Sequence, residues 1–214
     1  MSEIEPQKSK PDRGTVAFAG TRSPSRELFE QTKSTACKAA LFRFRVRVGC
    51  CTGYDAAVID GLRNIGQENY LEVFAAFGSD GRGRCRTSNY PAVWSLSWFD
   101  KGSIRWWSGG DSLTPLRNRL AARTRQVVMG ADGLVVGFGY NPKGTLLAAQ
   151  IAVAHEIPLY ALESSVKLHD PGLGHWVRVG DLGIGTCPGF LSAKHWVWTK
   201  AQGLFDNQNQ LNDL

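Results

Sequence analysis

What this sequence lacks narrows it first. No run of about eighteen apolar residues occurs, so no transmembrane helix is expected, and the N-terminal "MSEIEPQKSKPDRG" has no hydrophobic stretch that could act as a signal peptide. A soluble cytoplasmic protein with no membrane partner is the expectation. Its five cysteines are odd in number, put Cys50 beside Cys51, and never take the Cys-x-x-Cys spacing of zinc sites. Reduced thiols are expected at Cys37, Cys50, Cys51, Cys85 and Cys187. His155, His169, His175 and His195 show no metal-ligand spacing either, so neither a metal site nor a cofactor is expected.

What is present suits one sizeable core: 43% of the 214 residues are hydrophobic, and a formal charge of +6 favours an anionic partner over a cationic one. The chain divides into a flexible polar tail (1–13), a main domain (14–163) and a glycine- and tryptophan-rich C-terminal extension (164–214) expected as a hairpin or small annex.

Within the main domain, "TVAFAG" reads as a strand and "TRSPSRELFEQTKSTACKAAL" as a turn and helix, with Ser23 and Pro24 as cap and first turn. In "RFRVRVGC", Phe44, Val46 and Val48 alternate with Arg43, Arg45 and Arg47. That period predicts a strand with one wet face at or near a sheet edge. After "GCCTGYD", residues Val58, Ile59, Leu62 and Ile65 share one helical face. "YLEVFAAFG" is a third strand, followed by a long irregular insertion over about 79–110 that holds "GRGRCR" and Trp94, Trp98, Trp106 and Trp107. The tryptophans read either as core or interface residues or, interleaved with arginines, as stacking platforms for single-stranded nucleic acid.

A further helix starts in "DSLTPLRNRLAARTRQVV", with Thr114 as cap and Pro115 as first residue. Then follow the apolar strand "DGLVVGFG", the turn "YNPKG", the helix "TLLAAQIAVAHE" and the strand "PLYALE". This alternation, with continuously apolar central strands, predicts an α/β fold: a doubly wound, mostly parallel sheet with helices on both faces. Ligands of such folds bind outside the carboxyl ends of the strands.

Four turns fall on that edge. "GTRSPS" supplies Gly20, Thr21, Arg22 and Ser23, where glycine admits close backbone approach and helix amides suit a phosphate. "GCCTGYD" supplies Gly53 and Asp55, the latter either capping its helix or accepting a hydrogen bond from a ligand. "TPLRNRL" places Arg117, Asn118 and Arg119 at a helix start, where the backbone dipole disfavours cations by up to about 1 kcal/mol. They read either as solvated charges or, together with helix amides, as the forks of an anion clamp. On the second reading both arginines are dispensable for folding. "GFGYNPKGT" supplies Gly139, Lys143, Gly144 and Thr145. It matches neither the Walker pattern nor the dinucleotide fingerprint, which disfavours classical NAD binding.

In order, these four turns resemble the DNA-processing protein A family (DprA, also called Smf) and the wider SLOG superfamily of Rossmann-like nucleotide-binding domains, over roughly Thr15 to Glu163. "VAFAGTRSPS" is similar to that family's G-[ST]-R turn, "GCCTGYDAAV" to its G-x-x-x-G-x-D turn, "TPLRNRLAA" to its P-x-R-N-R helix start, and "GLVVGFGYNPKGTLLAAQIAVAHEIPLYAL" to its final strand, turn, helix and strand. The resemblance implies a Rossmann-like fold and a basic pocket for single-stranded DNA. The chain departs from the family in lacking a histidine after the aspartate in "DAAVID", in reading "YNPKG" for a Gly/Ser-rich turn, and in leaving no length for accessory helical domains.

The function expected is therefore non-catalytic binding of the phosphates of a nucleotide or single-stranded nucleic acid, with a homodimer as a further expectation. The alternative is a nucleotide-processing enzyme of the phosphoribohydrolase or N-glycosidase type. The superfamily's hydrolases carry a glutamate in their last turn, and Ala148 stands at that position, leaving Asp55 or Glu163 as substitutes.

Overall fold

The computed structural model describes residues 13–98, 102–172, 174–178 and 195–200. Cys187, nearly all of the polar tail and much of the C-terminal extension lie outside them. In chain order the elements are β1 (Thr15–Gly20), α1 (Arg26–Leu41), β2 (Arg45–Val48), α2 (Tyr54–Asn64), β3 (Leu71–Phe74), α3 (Tyr90–Trp98), β4 (Ser103–Arg105), α4 (Leu116–Val128), β5 (Gly133–Gly137), α5 (Lys143–Ala154), β6 (Leu159–Ala161), β7 (His175–Arg178) and β8 (Trp196–Thr199).

The strands form one sheet in the order β4-β3-β2-β1-β5-β6-β8-β7. β1 to β6 run parallel, as the alternation of strands and helices around apolar central strands predicts. β8 and β7 join antiparallel to β6, so the described part of the C-terminal extension completes the same sheet.

Alternate residues of each central strand enter cores on opposite faces. Val16, Val73 and Val135 face one cluster with Leu28 and Ala36 of α1 and Val58 and Leu62 of α2, while Ala17, Leu134 and Val136 face the other with Val127 of α4 and Ala148 and Ile151 of α5. β5 is buried along its whole length, which is why its sequence is a continuous apolar run.

Two expectations are corrected by this arrangement. β2 is an interior strand between β3 and β1, not an edge. Its arginines alternate because one of them is paired within the sheet: Arg47 on β2 and Arg105 on β4 each donate through Nε, at 2.7 Å, to the two oxygens of Glu72 on β3. Both guanidinium groups also lie over the Phe74 ring, at 5.8 and 5.2 Å. A charge ladder across three strands mimics the sequence pattern of a wet face.

The 79–110 segment, expected to be irregular, contains α3 and the edge strand β4. Val93 and Leu96 anchor α3 while Trp94 and Trp98 stay exposed and stack on each other at 5.2 Å. A nine-residue helix with apolar residues on several sides and a three-residue strand are both too short to show a period.

Two helix starts also shift. α1 begins one residue past Ser25, whose hydroxyl accepts from the Leu28 amide at 3.1 Å, because Thr21 holds the Ser23 amide in the preceding turn. α4 begins at Leu116. Asp111 gathers the amides of Leu113 and Thr114 and the Thr114 hydroxyl in a side-chain turn, so Thr114 caps nothing and Pro115 takes the cap position with an extended ψ of 133°.

Burial alone would raise the Glu72 carboxyl, but hydrogen bonds from Arg47 and Arg105 outweigh it and hold the group below its ordinary value. A depressed carboxyl stabilises the fold above its unfolded pKa, and that contribution is lost as pH falls through the folded value. Glu72→Gln is therefore expected to lower stability at neutral pH by about 1–3 kcal/mol. It should also flatten the acid limb of the urea midpoint against pH, and an unaltered acid limb would refute the ladder's role.

Candidate phosphate and nucleic-acid site

At β1 the chain direction across the sheet divides: β2, β3 and β4 follow on one side, β5 and β6 on the other. The carboxyl ends of β1 and β5 thus open into a crevice, the position where ligands of doubly wound sheets sit. Two hollows occupy it. The larger, about 1000 Å³, runs between α4 and α5 above the end of β1, and the smaller, about 530 Å³, lies between the turn after β1 and the start of α5. They share Gly20, Arg22, Lys143 and Gly144, so they form one continuous site.

The structure places the predicted residues unevenly. Gly20, Thr21, Arg22, Ser23, Lys143, Gly144 and Thr145 all line the smaller hollow, which joins the first and fourth turns. Arg117 and Asp55 line the larger one. Gly53 lines neither; it takes φ +79° where the second turn packs on the first, and a side chain there would meet the backbone of Arg22. Gly139 lines neither as well, being packed against the Thr21 side chain. Asn118 is exposed on α4 away from both hollows.

Arg119 corrects the expectation that both arginines are free for a ligand. It is 3% exposed, donates to the carbonyls of Gly83 at 2.7 Å and Asp111 at 2.8 Å, and lies 5.3 Å from the Trp107 ring centre. Arg117 and Arg119 are two residues apart on a helix, so they point in different directions. One reaches the crevice and the other pins the 79–114 segment to α4. Trp106 and Trp107 are likewise structural, Trp106 packing 6.0 Å from Phe77.

Asp55 does not cap its own helix, whose N-cap Gly53 has no side-chain bond. Its Oδ2 accepts from the Cys51 amide at 2.9 Å and faces Arg123 Nη1 at 3.6 Å. Burial pushes its pKa up to about 7, against the pull of Arg123. Cys51 lines the same hollow, 3.5 Å from Arg123 Nη2; a hydrogen bond from Cys50 and the fields of Arg123 and Arg22 lower its thiol to about 5 despite burial. Gly49 is required beside this cluster, because a Cβ there would overlap the Arg123 guanidinium.

Arg123 and Tyr140 were not singled out from sequence. Arg123 lines the larger hollow, and its spacing of four from Arg119 was the signal that both lie on the buried side of α4. Tyr140, in the fourth turn, is 91% exposed at the mouth of the smaller hollow. Ala148 is buried in the core, and Glu163, expected as a substitute carboxylate, pairs with Arg178 at 2.8 Å. Among the described residues no group of three His, Cys, Asp or Glu is placed to hold a metal ion, and no helix is long and apolar enough to cross a membrane.

Electrostatically the site favours an anion. α4 and α5 both begin without a side-chain cap and without an acid in the first turn, and carry Arg117 and Lys143 there instead. The free amides and these cations face the same crevice, so their mutual repulsion is relieved when a negative group enters.

Sheet order and crevice together define a Rossmann-like α/β protein with an open crevice at the switch point. Among solved structures the fold is that of DNA processing protein A. The chain is similar to the protein from Helicobacter pylori, reported for its unique single-stranded DNA binding mode, with a TM-score of 0.59 and 18% identity, covering 76% of this chain and 70% of that one. It is also similar to the DprA from Streptococcus pneumoniae, with a TM-score of 0.55 and 16% identity, covering 74% of this chain and 52% of that one. No protein-family model and no curated protein matches the sequence.

Arg119→Ala removes two charge-assisted bonds from a buried site and is expected to destabilise the fold by about 2–4 kcal/mol. Amide exchange across 79–114 should rise, and unchanged exchange there would refute the pinning role. Asp55 carries the opposite pH signature to Glu72: a raised carboxyl binds its proton more tightly folded than unfolded, so stability is lost as pH climbs from 3.8 toward about 7. Denaturation midpoints of the parent should fall across that window relative to Asp55→Asn, and parallel curves would refute the assignment.

Proposed function

We propose that this protein is a cytoplasmic, non-catalytic binder of single-stranded nucleic acid that holds the strand by its phosphates. The observation that carries the reading is the convergence of two uncapped helix starts, with Arg117 and Lys143 in their first turns and Arg22 opposite, on one crevice. Backbone amides at Lys143, Gly144 and Thr145 would receive one phosphate. No atom lies within 4 Å of a Cβ built on Gly144, so a ligand can approach the backbone closely there.

A strand is favoured over a free nucleotide by size. The larger hollow alone reaches the upper end of the range of about 300–1000 Å³ that small-molecule pockets span, and the smaller hollow continues it. Tyr140 at the mouth offers an exposed ring on which a base can stack. The shared fold with the H. pylori protein, whose structure was reported for its single-stranded DNA binding, supports the same reading. Two copies of the chain would contact more phosphates than one, which accommodates a homodimer.

Fluorescence anisotropy with short single-stranded oligonucleotides and with mononucleotides across a salt series tests this. The parent should bind oligonucleotides with affinity falling steeply with salt. Arg22→Ala, Arg117→Ala and Lys143→Ala should each weaken binding several-fold and reduce the log–log salt slope by about 0.7 per lost phosphate contact. A flat salt response with no oligonucleotide binding sinks the proposal. Release of free base from nucleoside monophosphates would instead support an N-glycosidic hydrolase. None is expected, because Asp55 is the only carboxylate lining either hollow among the described residues.

A further inference from the structure

Cys51 sits at the floor of the larger hollow with a cation against its sulfur. Arg123 Nη2 donates to the Sγ at 3.5 Å, and both residues line the hollow, so a small molecule in the crevice can reach the sulfur although the residue is only 4% exposed. Arg123 is itself 8% exposed, and its Nε has no hydrogen-bond partner among the described residues. Buried guanidinium donors ordinarily find acceptors. An under-bonded guanidinium beside a thiol, in a hollow, points to an oxygen that arrives there.

The other described cysteines do not share this setting. Cys50 is 1% exposed, lines neither hollow, and is raised by its hydrogen bond with Cys51 and by burial. Cys37 lies on α1, lines neither hollow, and is raised by burial. Cys85 also lines neither, and its sulfur rests on the Thr87 and Ser88 hydroxyls, both at 3.4 Å. Cys51 alone is lowered to about 5: the hydrogen bond from Cys50 lowers it most, and Arg123, Arg22 and the Thr87 hydroxyl add to this against burial. The thiolate, not the thiol, is the nucleophile.

We propose that Cys51 is a modification site for hydroperoxides, oxidised to a sulfenic acid at the floor of the crevice beside the Arg123 guanidinium. The thiolate sulfur attacks one peroxide oxygen, an S–O bond forms as the O–O bond breaks, and the sulfur gives up two electrons to the peroxide. The second oxygen departs as hydroxide, which the guanidinium stabilises until a solvent proton converts it to water. The reaction needs peroxide alone, so it stands or falls separately from strand binding.

Hydrogen peroxide added to the full chain at pH 6, with reduced and reversibly oxidised thiols tagged separately and located by peptide mass spectrometry, tests this. At that pH Asp55 is mostly protonated and competes little for Arg123. A thiol lowered to about 5 has a thiolate fraction about 300-fold above that of an ordinary thiol but a nucleophilicity about 40-fold lower, a net gain of nearly tenfold before Arg123 contributes. Cys51 should therefore be oxidised at least tenfold faster in the folded protein than in urea. In Cys51→Ser, Cys50 and Cys85 should stay reduced over the same period, because any disulfide they form with Cys51 requires its sulfenic acid first. Arg123→Lys keeps a cation but loses the planar fork. It should react with iodoacetamide, which releases no oxygen, within about twofold of the parent, and lose about tenfold with peroxide. Equal losses with both reagents, or none with peroxide, would deny Arg123 its part. Oxidation of Cys51 no faster folded than unfolded, or undiminished oxidation of Cys50 and Cys85 in Cys51→Ser, overturns the proposal. The comparison of folded with unfolded chain uses the parent protein, so it decides the matter even where a variant does not fold.

Discussion

The pairing of β1 with β5 is the constraint on which the rest depends. Five register pairs, from Val16–Gly133 to Gly20–Gly137, lock the first strand to one that follows it by more than a hundred residues, and between them the chain builds the whole of the other half-sheet. Crossovers between parallel strands have a fixed hand, so successive connections leading away from β1 and back to β5 pass over opposite faces. The carboxyl ends of these two strands are consequently the place where no connection closes over the sheet. Gly20, Arg22 and the start of α5 reach one crevice because of that topology.

Into this crevice the protein directs charges that it does not neutralise internally. Arg117 and Lys143 open helices whose dipoles already point positive ends at the site, and neither helix is given a side-chain cap. Other arginines are held internally: Arg47 and Arg105 share Glu72, and Arg119 donates to two loop carbonyls. Arg22, Arg117 and Lys143, by contrast, are exposed and line the same crevice. An anion entering there would relieve that concentration of positive charge.

The cluster at the floor shows how local chemistry follows from packing. Gly49 lets the Arg123 guanidinium approach the β2 turn, Asp55 turns back to hold the Cys51 amide, and burial then shifts the groups against one another. Asp55 is raised by desolvation while Cys51 is lowered by Cys50 and the neighbouring guanidinium groups. Neither shift could be read from residues that are ordinary in isolation.

By itself the sequence determined the doubly wound fold and the edge on which the crevice opens, since buried parallel strands must be apolar runs and their turns must carry glycines and helix starts. It also placed Arg22, Lys143, Gly144 and Thr145 together, as neighbours of those strand ends. Tertiary structure alone decided which charges face the crevice. Spacing could separate Arg117 from Arg119 onto different helix faces but could not say that loop carbonyls from Gly83 and Asp111 would claim Arg119, or that Arg123, one turn further on, would reach the floor beside Asp55. It likewise read β2 as an edge, because an arginine paired across strands through Glu72 has the same period as one in water. Periodicity reports which residues share a face; only long-range packing assigns that face to solvent, a partner or a ligand.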